Sequence, residues 1–526
     1  MSFTFRAPRP IASGCTARRA MTLVEMLIAM ALTMILVYAI AEFYARIGPS
    51  VKDGRAMIDL VAQLRTATAR LRADLERLTL IPRPPADDDN SPGYFEYFEG
   101  RGNDIDTNAN NLLDATEDSD ANSASDFVQY NYSTMLGDID DVLAFTIRTD
   151  GDPLVGYGFA VNLATGVPDF ATPAGFSSPR AEVVWFSSFI DQDGDNLWDP
   201  NERRLLHRRQ LIVNESLNVM HSGDTNVSFP YFMRIPVPNP DTSVLDGMKL
   251  YDVALQPAGA PIAGHQYFIA KRFHDLTRRE NRFAHLRGSA NFSNRIDIDA
   301  HVLLRDNVAL LTDPANYGSL NRWVQSGLRQ GDDVILANAL AFDVRVFDPS
   351  AAILADNSDA TGQGTPADPT DDAQGTVQPG DSGWATSLTS GYPIVGYGAY
   401  VDLYYSRYAT PVASPPNPTP IFAIVPAYAG PAPGAAAYRS ALGATYDTWA
   451  LSYDRDGVDQ LGDGQIDLGT NGFDDDGFNG VDDALERETT PPYPVPLRGI
   501  QVEIRVSEPT TRQVRQATIG WDFITE

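Results

Sequence analysis

A long apolar segment near the N-terminus constrains this chain more than any other feature of its sequence. From Met21 to Ala41 every residue is apolar except Thr22, Glu25 and Thr33. At 1.5 Å per residue, a helix of this length reaches about 31 Å, which is enough to cross the hydrocarbon core of a bilayer. The segment therefore predicts a single transmembrane helix. Its glutamate needs an explanation, because an unpaired charge near the bilayer centre costs about 2.5–3.5 kcal/mol.

The residues that precede the apolar segment are basic. Residues 1–20 contain no acidic residue and four arginines, Arg6, Arg9, Arg18 and Arg19. Positive charge beside a membrane span predicts that the N-terminus stays in the cytoplasm and that the chain after Ala41 is exported. The single cysteine of the chain, Cys15, also lies in this leader. The exported part is therefore expected to contain no disulfide, whichever compartment it occupies.

Residues 18–30, RRAMTLVEMLIAM, resemble the class III signal of type IV prepilins and type II secretion pseudopilins. The resemblance implies cleavage between Ala20 and Met21 by a prepilin peptidase, followed by N-methylation of Met21. It also implies an assembly role for Glu25, whose carboxylate would neutralise the new amine of a neighbouring subunit. The chain departs from the family at the cut, where the family usually has Gly and then Phe. A simpler alternative is that Glu25 lies near the helix end and reaches the lipid headgroups.

A second helical pattern follows the apolar segment. Apolar residues recur at three- and four-residue spacing and form one stripe: Met57, Leu60, Val61, Leu64, Leu71, Leu75 and Leu78. This spacing predicts an amphipathic helix that ends before Pro82 and packs on a globular head. Pro49, which follows Gly48, is expected to bend the helix because proline lacks a backbone donor and crowds the preceding turn.

The rest of the chain carries strand patterns. Apolar and polar or small residues alternate in residues 143–147, 342–346, 500–506 and 517–523. A period of two places alternate side chains on one face, so these runs predict half-buried antiparallel strands. No long helical pattern follows Leu78. The predicted fold class is therefore α+β, with a long N-terminal helix packed on an antiparallel β-rich head.

An acidic stretch at residues 191–202, DQDGDNLWDPNE, matches the ligand spacing of an EF-hand calcium loop. Such a loop uses oxygen ligands at positions 1, 3, 5, 7, 9 and 12, the seventh through a backbone carbonyl. Here those positions are Asp191, Asp193, Asp195, Leu197, Asp199 and Glu202. The flanking sequences are strand-like, so we expect a structural calcium ion that neutralises carboxylates within a long hairpin. The alternative is a solvated acidic turn, which explains the charge but not the spacing.

Two further stretches resemble calcium loops. In residues 106–117, DTNANNLLDATE, the same positions are Asp106, Asn108, Asn110, Leu112, Asp114 and Glu117. The region 454–488 holds twelve Asp or Glu residues and two Arg, and its sequence DDDGFNGVDDALE resembles a calcium loop with one extra residue. The candidate ligands in that region are Asp474, Asp476, Asn479, Asp482 and Asp483. Its register stays open.

The composition and motifs favour a structural protein over an enzyme. The six histidines show no spacing that would place two on one helical face for a metal. Residues 380–383, GDSG, lie in a low-complexity stretch without an identifiable partner histidine, so we interpret them as coincidence. The formal net charge of −29 excludes nucleic acid as an expected partner, because a strongly acidic head is repelled by phosphate.

These patterns divide the chain into six predicted parts. They are a cleaved basic leader (1–20), a transmembrane helix (21–44), an amphipathic helix (45–81), a β-rich head with two calcium-type loops (82–348), a low-complexity acidic linker or insertion (349–393) and a β-rich C-terminal part with the acidic insertion 454–488 (394–526).

We interpret the chain as a large minor pilin or pseudopilin of the inner membrane. The resemblance implies prepilin peptidase and other pilin or pseudopilin subunits as partners, and assembly into a pilus or pseudopilus. The alternative is a cell-surface, calcium-dependent binding or adhesion protein that is held by an uncleaved signal anchor.

Overall fold

The structure is a computed structural model of the whole chain of 526 residues. The residues that it describes are 22–84, 93–99, 139, 141–162, 168–190, 203–217, 233–236, 251–257, 265–278, 281–283, 329, 331–356, 375–379, 384, 393–403, 405, 421–422, 444–448, 455, 457, 465–483, 486–487, 491, 493–509, 511 and 513–523. The chain divides into two compact units, residues 1–59 and residues 60–526.

One long helix, α1, runs without interruption from Leu23 to Leu75. The helix continues through Pro49, where the sequence predicts a bend, and it ends before the predicted boundary at residue 81. The early end has a physical cause, because the next residues bond to a strand. Thr79 donates its backbone N–H to the carbonyl of Thr146 at 3.1 Å, and Leu78 forms an isolated bridge with Ile147.

The second unit is dominated by antiparallel strands. In the described part of the chain these are β1 Phe95–Glu99, β2 Val142–Arg148, β3 Leu154–Val161, β4 Pro168–Ser178, β5 Arg180–Phe189, β6 Arg204–Ile212, β7 Met233–Pro236, β8 Leu255–Pro257, β9 His265–Ala270, β10 Val334–Ala337, β11 Ala339–Asp356, β12 Gly375–Val377, β13 Ile394–Val401, β14 Ala444–Asp447, β15 Gly499–Glu508 and β16 Gln513–Asp522. The described residues also form three short 3-10 helices, Glu215–Leu217, His274–Thr277 and Leu468–Thr470. A long helix with an antiparallel β-rich body confirms the predicted α+β class.

The largest sheet has six strands in the order β10-β6-β5-β2-β1-β14. Its centre is covered on both faces, since all of β1 and all of β2 except Arg148 is buried. The prediction that the strand at 143–147 is half-buried was therefore wrong. Alternation in the sequence predicts that one face of a strand is apolar and buried. It cannot predict that the other face, which carries polar residues such as Thr146, is buried as well.

The second large sheet joins β12, β11, β15 and β16 in that order, and β13 pairs with β11. Here the alternation of the sequence agrees with the structure. Ile500, Val502, Ile504 and Val506 are buried, and the residues between them are partly exposed. Strands β11 and β12 also extend into residues 349–393, the range predicted as a low-complexity linker or insertion.

Side chains join the two large sheets at one backbone position. The N–H of Val344 on β11 donates to Asp141 at 2.6 Å, and the carbonyl of Val344 accepts from the phenol of Tyr97 on β1. Val344 pairs with Val502 of β15 in the ladder of its own sheet. A side chain of the first sheet and one from the residue before β2 therefore satisfy backbone groups of the second sheet.

The C-terminal part of α1 supplies an apolar stripe to the core of the second unit. The buried members of that stripe are Leu60, Leu64, Ala67, Leu71 and Leu75. Four of these leucines belong to the predicted stripe, which confirms that this half of the helix is amphipathic. The two smaller sheets are a β3–β4 ribbon and a three-stranded sheet in the order β7-β9-β8.

Candidate functional site

The first turn of α1 holds the glutamate that the sequence singles out. Thr22 precedes the helix, and both its backbone N–H (2.9 Å) and its hydroxyl (3.1 Å) donate to Oε2 of Glu25. In return, the backbone N–H of Glu25 donates to Oγ1 of Thr22 at 3.2 Å. This reciprocal arrangement is a capping box, which satisfies backbone donors that a helix start leaves free. The proposed cleavage residues, Ala20 and Met21, lie outside the described residues.

The helix that follows is apolar and exposed. Residues Leu23–Phe43 form a segment long and apolar enough to cross a membrane, and none of it is buried within the protein. The polar group of Thr33 is satisfied inside the helix, since its hydroxyl donates to the carbonyls of Ala29 and Met30, each at 2.9 Å. Such internal bonding suits a lipid environment, which offers no alternative partner.

The acidic region near the C-terminus contains a carboxylate cluster. Asp474, Asp476 and Glu486 each offer an oxygen, and these oxygens lie within 4.8 Å of one another. The two aspartates are exposed, whereas Glu486 is buried at 5% relative exposure. Oxygen ligands at this separation suit a hard cation such as calcium, which binds carboxylates in flexible geometry.

Glu486 organises the loop that carries the cluster. Its carboxylate accepts backbone N–H groups from Asp475, from Asp476 at 3.2 Å and from Asp483 at 3.0 Å. Desolvation raises the pKa of Glu486, but these backbone donors outweigh that effect and lower its pKa below the ordinary value. The carboxylate is therefore held in its ionised form, which is the form that binds a cation.

Only some of the predicted ligands in this region belong to the cluster. Asp474 and Asp476 belong to the cluster, but Oδ1 of Asp482 accepts the backbone N–H of Gly472 at 2.9 Å and closes the loop. Asn479 occupies the left-handed region with φ of 59°, which suits a tight turn. The sequence prediction missed Glu486. It is the thirteenth residue of DDDGFNGVDDALE, so the extra residue that we noted in this loop moves the final acidic ligand by one place.

The other two predicted calcium loops, 106–117 and 191–202, lie outside the described residues. The strands that flank the second loop are described: β5 ends at Phe189 and β6 begins at Arg204, and the two strands pair antiparallel with Phe189 opposite Arg204. The expectation that loop 191–202 joins two strands is therefore confirmed.

A hydrogen-bonded network connects the partly buried Ser188 with the buried His207 and Asp333. Ser188 Oγ lies 2.7 Å from Nε2 of His207, and Nδ1 of His207 lies 3.2 Å from Oδ1 of Asp333. The imidazole is fully buried and stacks on Phe186 with ring centroids 4.9 Å apart. Because the imidazole ring is enclosed, we infer a structural role for these hydrogen bonds. They link β5, β6 and the residue before β10.

Comparison with known proteins identifies one part of the chain. Residues 15–40 match the family model described as Prokaryotic N-terminal methylation motif. This match confirms the prepilin-type cleavage and methylation segment that the sequence predicts. A search of the curated proteins and a search of the solved structures each found no match to this chain.

Proposed function

We propose that this chain is a minor pilin or pseudopilin, a structural subunit that assembles into a type IV pilus or a type II secretion pseudopilus. One observation carries the proposal: the methylation motif at residues 15–40 covers the exposed apolar start of α1 and its capped glutamate. The large size of the chain favours a minor subunit at a tip or in priming over an abundant one. The role is structural rather than catalytic.

The proposed subunit waits in the inner membrane as a single-pass protein with its head exported. A prepilin peptidase then cuts between Ala20 and Met21, and Met21 is methylated. In the uncut chain the carboxylate of Glu25 is satisfied by Thr22. During assembly, the amine of Met21 on a neighbouring subunit would take the place of these donors and remove an otherwise unpaired charge from an apolar fibre core.

Calcium is the proposed structural cofactor of the head. The described candidate is the cluster of Asp474, Asp476 and Glu486, whose oxygens lie within 4.8 Å of one another. The loops 191–202 and 106–117 are proposed as further sites on the strength of their ligand spacing. Bound calcium would neutralise carboxylates that otherwise repel one another.

A second candidate function is a cell-surface, calcium-dependent adhesion protein with an uncleaved anchor. The observation that favours it is the carboxylate cluster, which is a candidate calcium site in the head. The two functions differ in the fate of residues 1–20.

Mass spectrometry of the membrane form separates them. We expect a chain that begins at N-methylated Met21 in cells with an active prepilin peptidase, and a chain that begins at Met1 when the peptidase gene is deleted. An intact Met1 start in the peptidase-positive cells would refute the pilin proposal and favour the anchored adhesion protein.

A further inference from the structure

A cleft with an excess of arginine lies where the end of α1 meets the ends of β2 and β5. It has two adjoining lobes of about 430 and 490 Å³, and both are lined by Arg148, Thr149, Asp150, Arg180 and Phe273. The first lobe also reaches Arg77, the second residue after α1, and the acidic Glu76 beside it, so three arginines meet two acids in the cleft. Three arginines in one cleft are unexpected in a chain of 40 basic and 69 acidic residues.

Two of these arginines stand opposite each other on neighbouring strands. Arg148 of β2 and Arg180 of β5 are opposite partners in the antiparallel register. Side chains of directly opposite residues stand on the same face with Cβ atoms about 4.5–5.5 Å apart, and like charges in that position destabilise a sheet. The backbone also fixes Arg77 beside them, since its carbonyl accepts the N–H of Arg148 at 2.9 Å.

The protein neutralises this positive charge only in part. Arg148 pairs with Asp150 at 3.2 Å, but the Asp150 side chain is 87% exposed, so the pair is weak. Arg180 rests over the ring of Phe273, with its guanidinium carbon 5.0 Å from the ring centroid. In the part of the chain that the structure describes, neither Arg77 nor Arg180 forms an ion pair.

We propose that this cleft binds a small oxyanion ligand, one that carries a carboxylate or a phosphate. An anion between Arg148 and Arg180 would be attracted by both guanidinium groups and would offset their mutual repulsion. Anion binding would therefore explain why two like charges occupy opposite positions. Guanidinium groups bind both anions through charge-assisted, often bidentate, hydrogen bonds. Each lobe lies within the range of about 300–1,000 Å³ that is typical of small-ligand pockets.

The net charge of the chain affects the expected affinity of the cleft for an anion. A net charge of −29 repels anions at long range, so recognition depends on the short-range contacts inside the cleft. We therefore expect modest affinity that weakens as salt rises. This inference is independent of the proposed pilin role, because it concerns the head alone.

Isothermal titration calorimetry on the detergent-solubilised full chain, in calcium-free buffer, tests the proposal. The probes are inorganic phosphate, the sugar acid glucuronate and neutral glucose. We expect phosphate or glucuronate to bind and glucose not to bind. The anion that binds more tightly shows whether the cleft prefers a phosphate or a carboxylate. Equal binding of glucuronate and glucose, or no binding of either anion, would overturn the proposal.

Variants separate recognition from folding. We expect Arg148→Gln combined with Arg180→Gln to weaken binding at least about tenfold. The melting temperature of the ligand-free chain should change little, because relief of the like-charge repulsion offsets the lost contact between Arg180 and Phe273. Arg515→Gln, on the exposed strand β16, removes the same kind of charge and should bind like the wild type. A double variant that binds the anion as tightly as Arg515→Gln would show that the cleft is not the site.

Discussion

The indole N–H of Trp185 on β5 donates to the carboxylate of Asp74 on α1 at 3.0 Å, at a point where both side chains are buried. Arg208 on β6 completes the contact, since its Nε and Nη2 reach the two oxygens of Asp74 at 2.6 and 2.7 Å. The apolar stripe of the helix would tolerate small rotations, but these directional bonds do not. Asp74 therefore sets how the C-terminal half of α1 is oriented on the sheet.

Replacement of Asp74 should destabilise the head strongly. In Asp74→Ala, the guanidinium of Arg208 stays buried without a counter-charge, and the expected loss is about 3–5 kcal/mol. Chemical unfolding of the solubilised chain measures this loss. Asp59→Ala, an exposed change on the same helix, is the control and should change stability by less than about 0.5 kcal/mol. Equal stabilities of the two variants would contradict the anchoring role of Asp74.

Replacement of Glu25 should separate membrane insertion from assembly. Glu25→Ala makes the span more apolar, so the chain should insert as well as the wild type. Its share of the sheared fibre fraction should fall, because the amine of a neighbouring subunit loses its counter-charge in an apolar medium. Thr33→Ala makes the same helix more apolar without touching this group, and it should assemble normally. If Glu25→Ala assembles as well as Thr33→Ala, the carboxylate only reaches towards the headgroups.

Calcium should stabilise the head through the cluster around Glu486. A ligand that binds only the folded form at about 100 times its Kd contributes about 2.7 kcal/mol, so the melting temperature should rise during a calcium titration. Glu486→Gln should reduce this calcium-dependent rise, whatever its effect on the calcium-free chain. Asp152→Asn, at an exposed carboxylate outside the cluster, should keep the rise. An identical rise in both variants would exclude the cluster as a calcium site.

The loop at 191–202 should contribute more to calcium stabilisation than the loop at 106–117. The first offers five carboxylates and the second three, so calcium relieves more repulsion in the first. We expect the first to bind at about 10⁻⁴–10⁻³ M or more tightly, and the second more weakly. Asp191→Ala combined with Glu202→Ala should therefore remove more of the thermal gain than Asp106→Ala. If calcium stabilises the double variant as much as the wild type, these residues form a solvated turn and do not bind calcium.

Acid should weaken the head partly through Asp333. Burial raises its pKa, but the hydrogen bond and charge of His207 and the charge of Arg209 outweigh burial and hold the pKa below the ordinary 3.8. A carboxyl with a lowered folded pKa contributes stability that is complete above the ordinary value and is lost as the pH falls through the folded pKa.

Unfolding midpoints between about pH 5 and pH 3 measure this contribution. Asp333→Asn should be less stable than the wild type at neutral pH and should lose less stability on acidification. Asp152→Asn should keep the acid slope of the wild type. If Asp333→Asn has the same slope, Asp333 does not contribute to the acid response.

The sequence predicts those parts of the fold that depend on local periodicity. The runs at 143–147, 342–346, 500–506 and 517–523 lie within or overlap β2, β11, β15 and β16, because an apolar residue at every second position needs only one face to be covered. The helical stripe is predictable for the same reason. The exposed apolar start of α1 was predictable from its length and composition, since a helix that could cross a membrane must match a fixed thickness.

Features that depend on distant pairing could not be predicted in this way. The acids Glu96 and Asp447 contribute to the net charge of the sequence like any surface residue, yet both bind Arg282 inside the core, at 2.9 and 2.8 Å. Their burial depends on an arginine that is 186 and 165 residues away. Glu486 was missed for a related reason, because its distance in the chain from Asp474 departs from the standard loop spacing.

Strand β14 completes the first sheet beside β1, so this sheet cannot be completed before residue 444 is available. The hydroxyl of Thr448 accepts the N–H of Phe95, which precedes it by 353 residues. If export proceeds from the N-terminal anchor onward, β1 crosses the membrane long before residue 444. Until then, the edge of β1 that pairs with β14 is unpaired. An open edge is a template for pairing with other chains. We therefore expect the timing of translocation, rather than the stability of the finished sheet, to limit the yield of subunits, and chains truncated before β14 to be cleared by proteases.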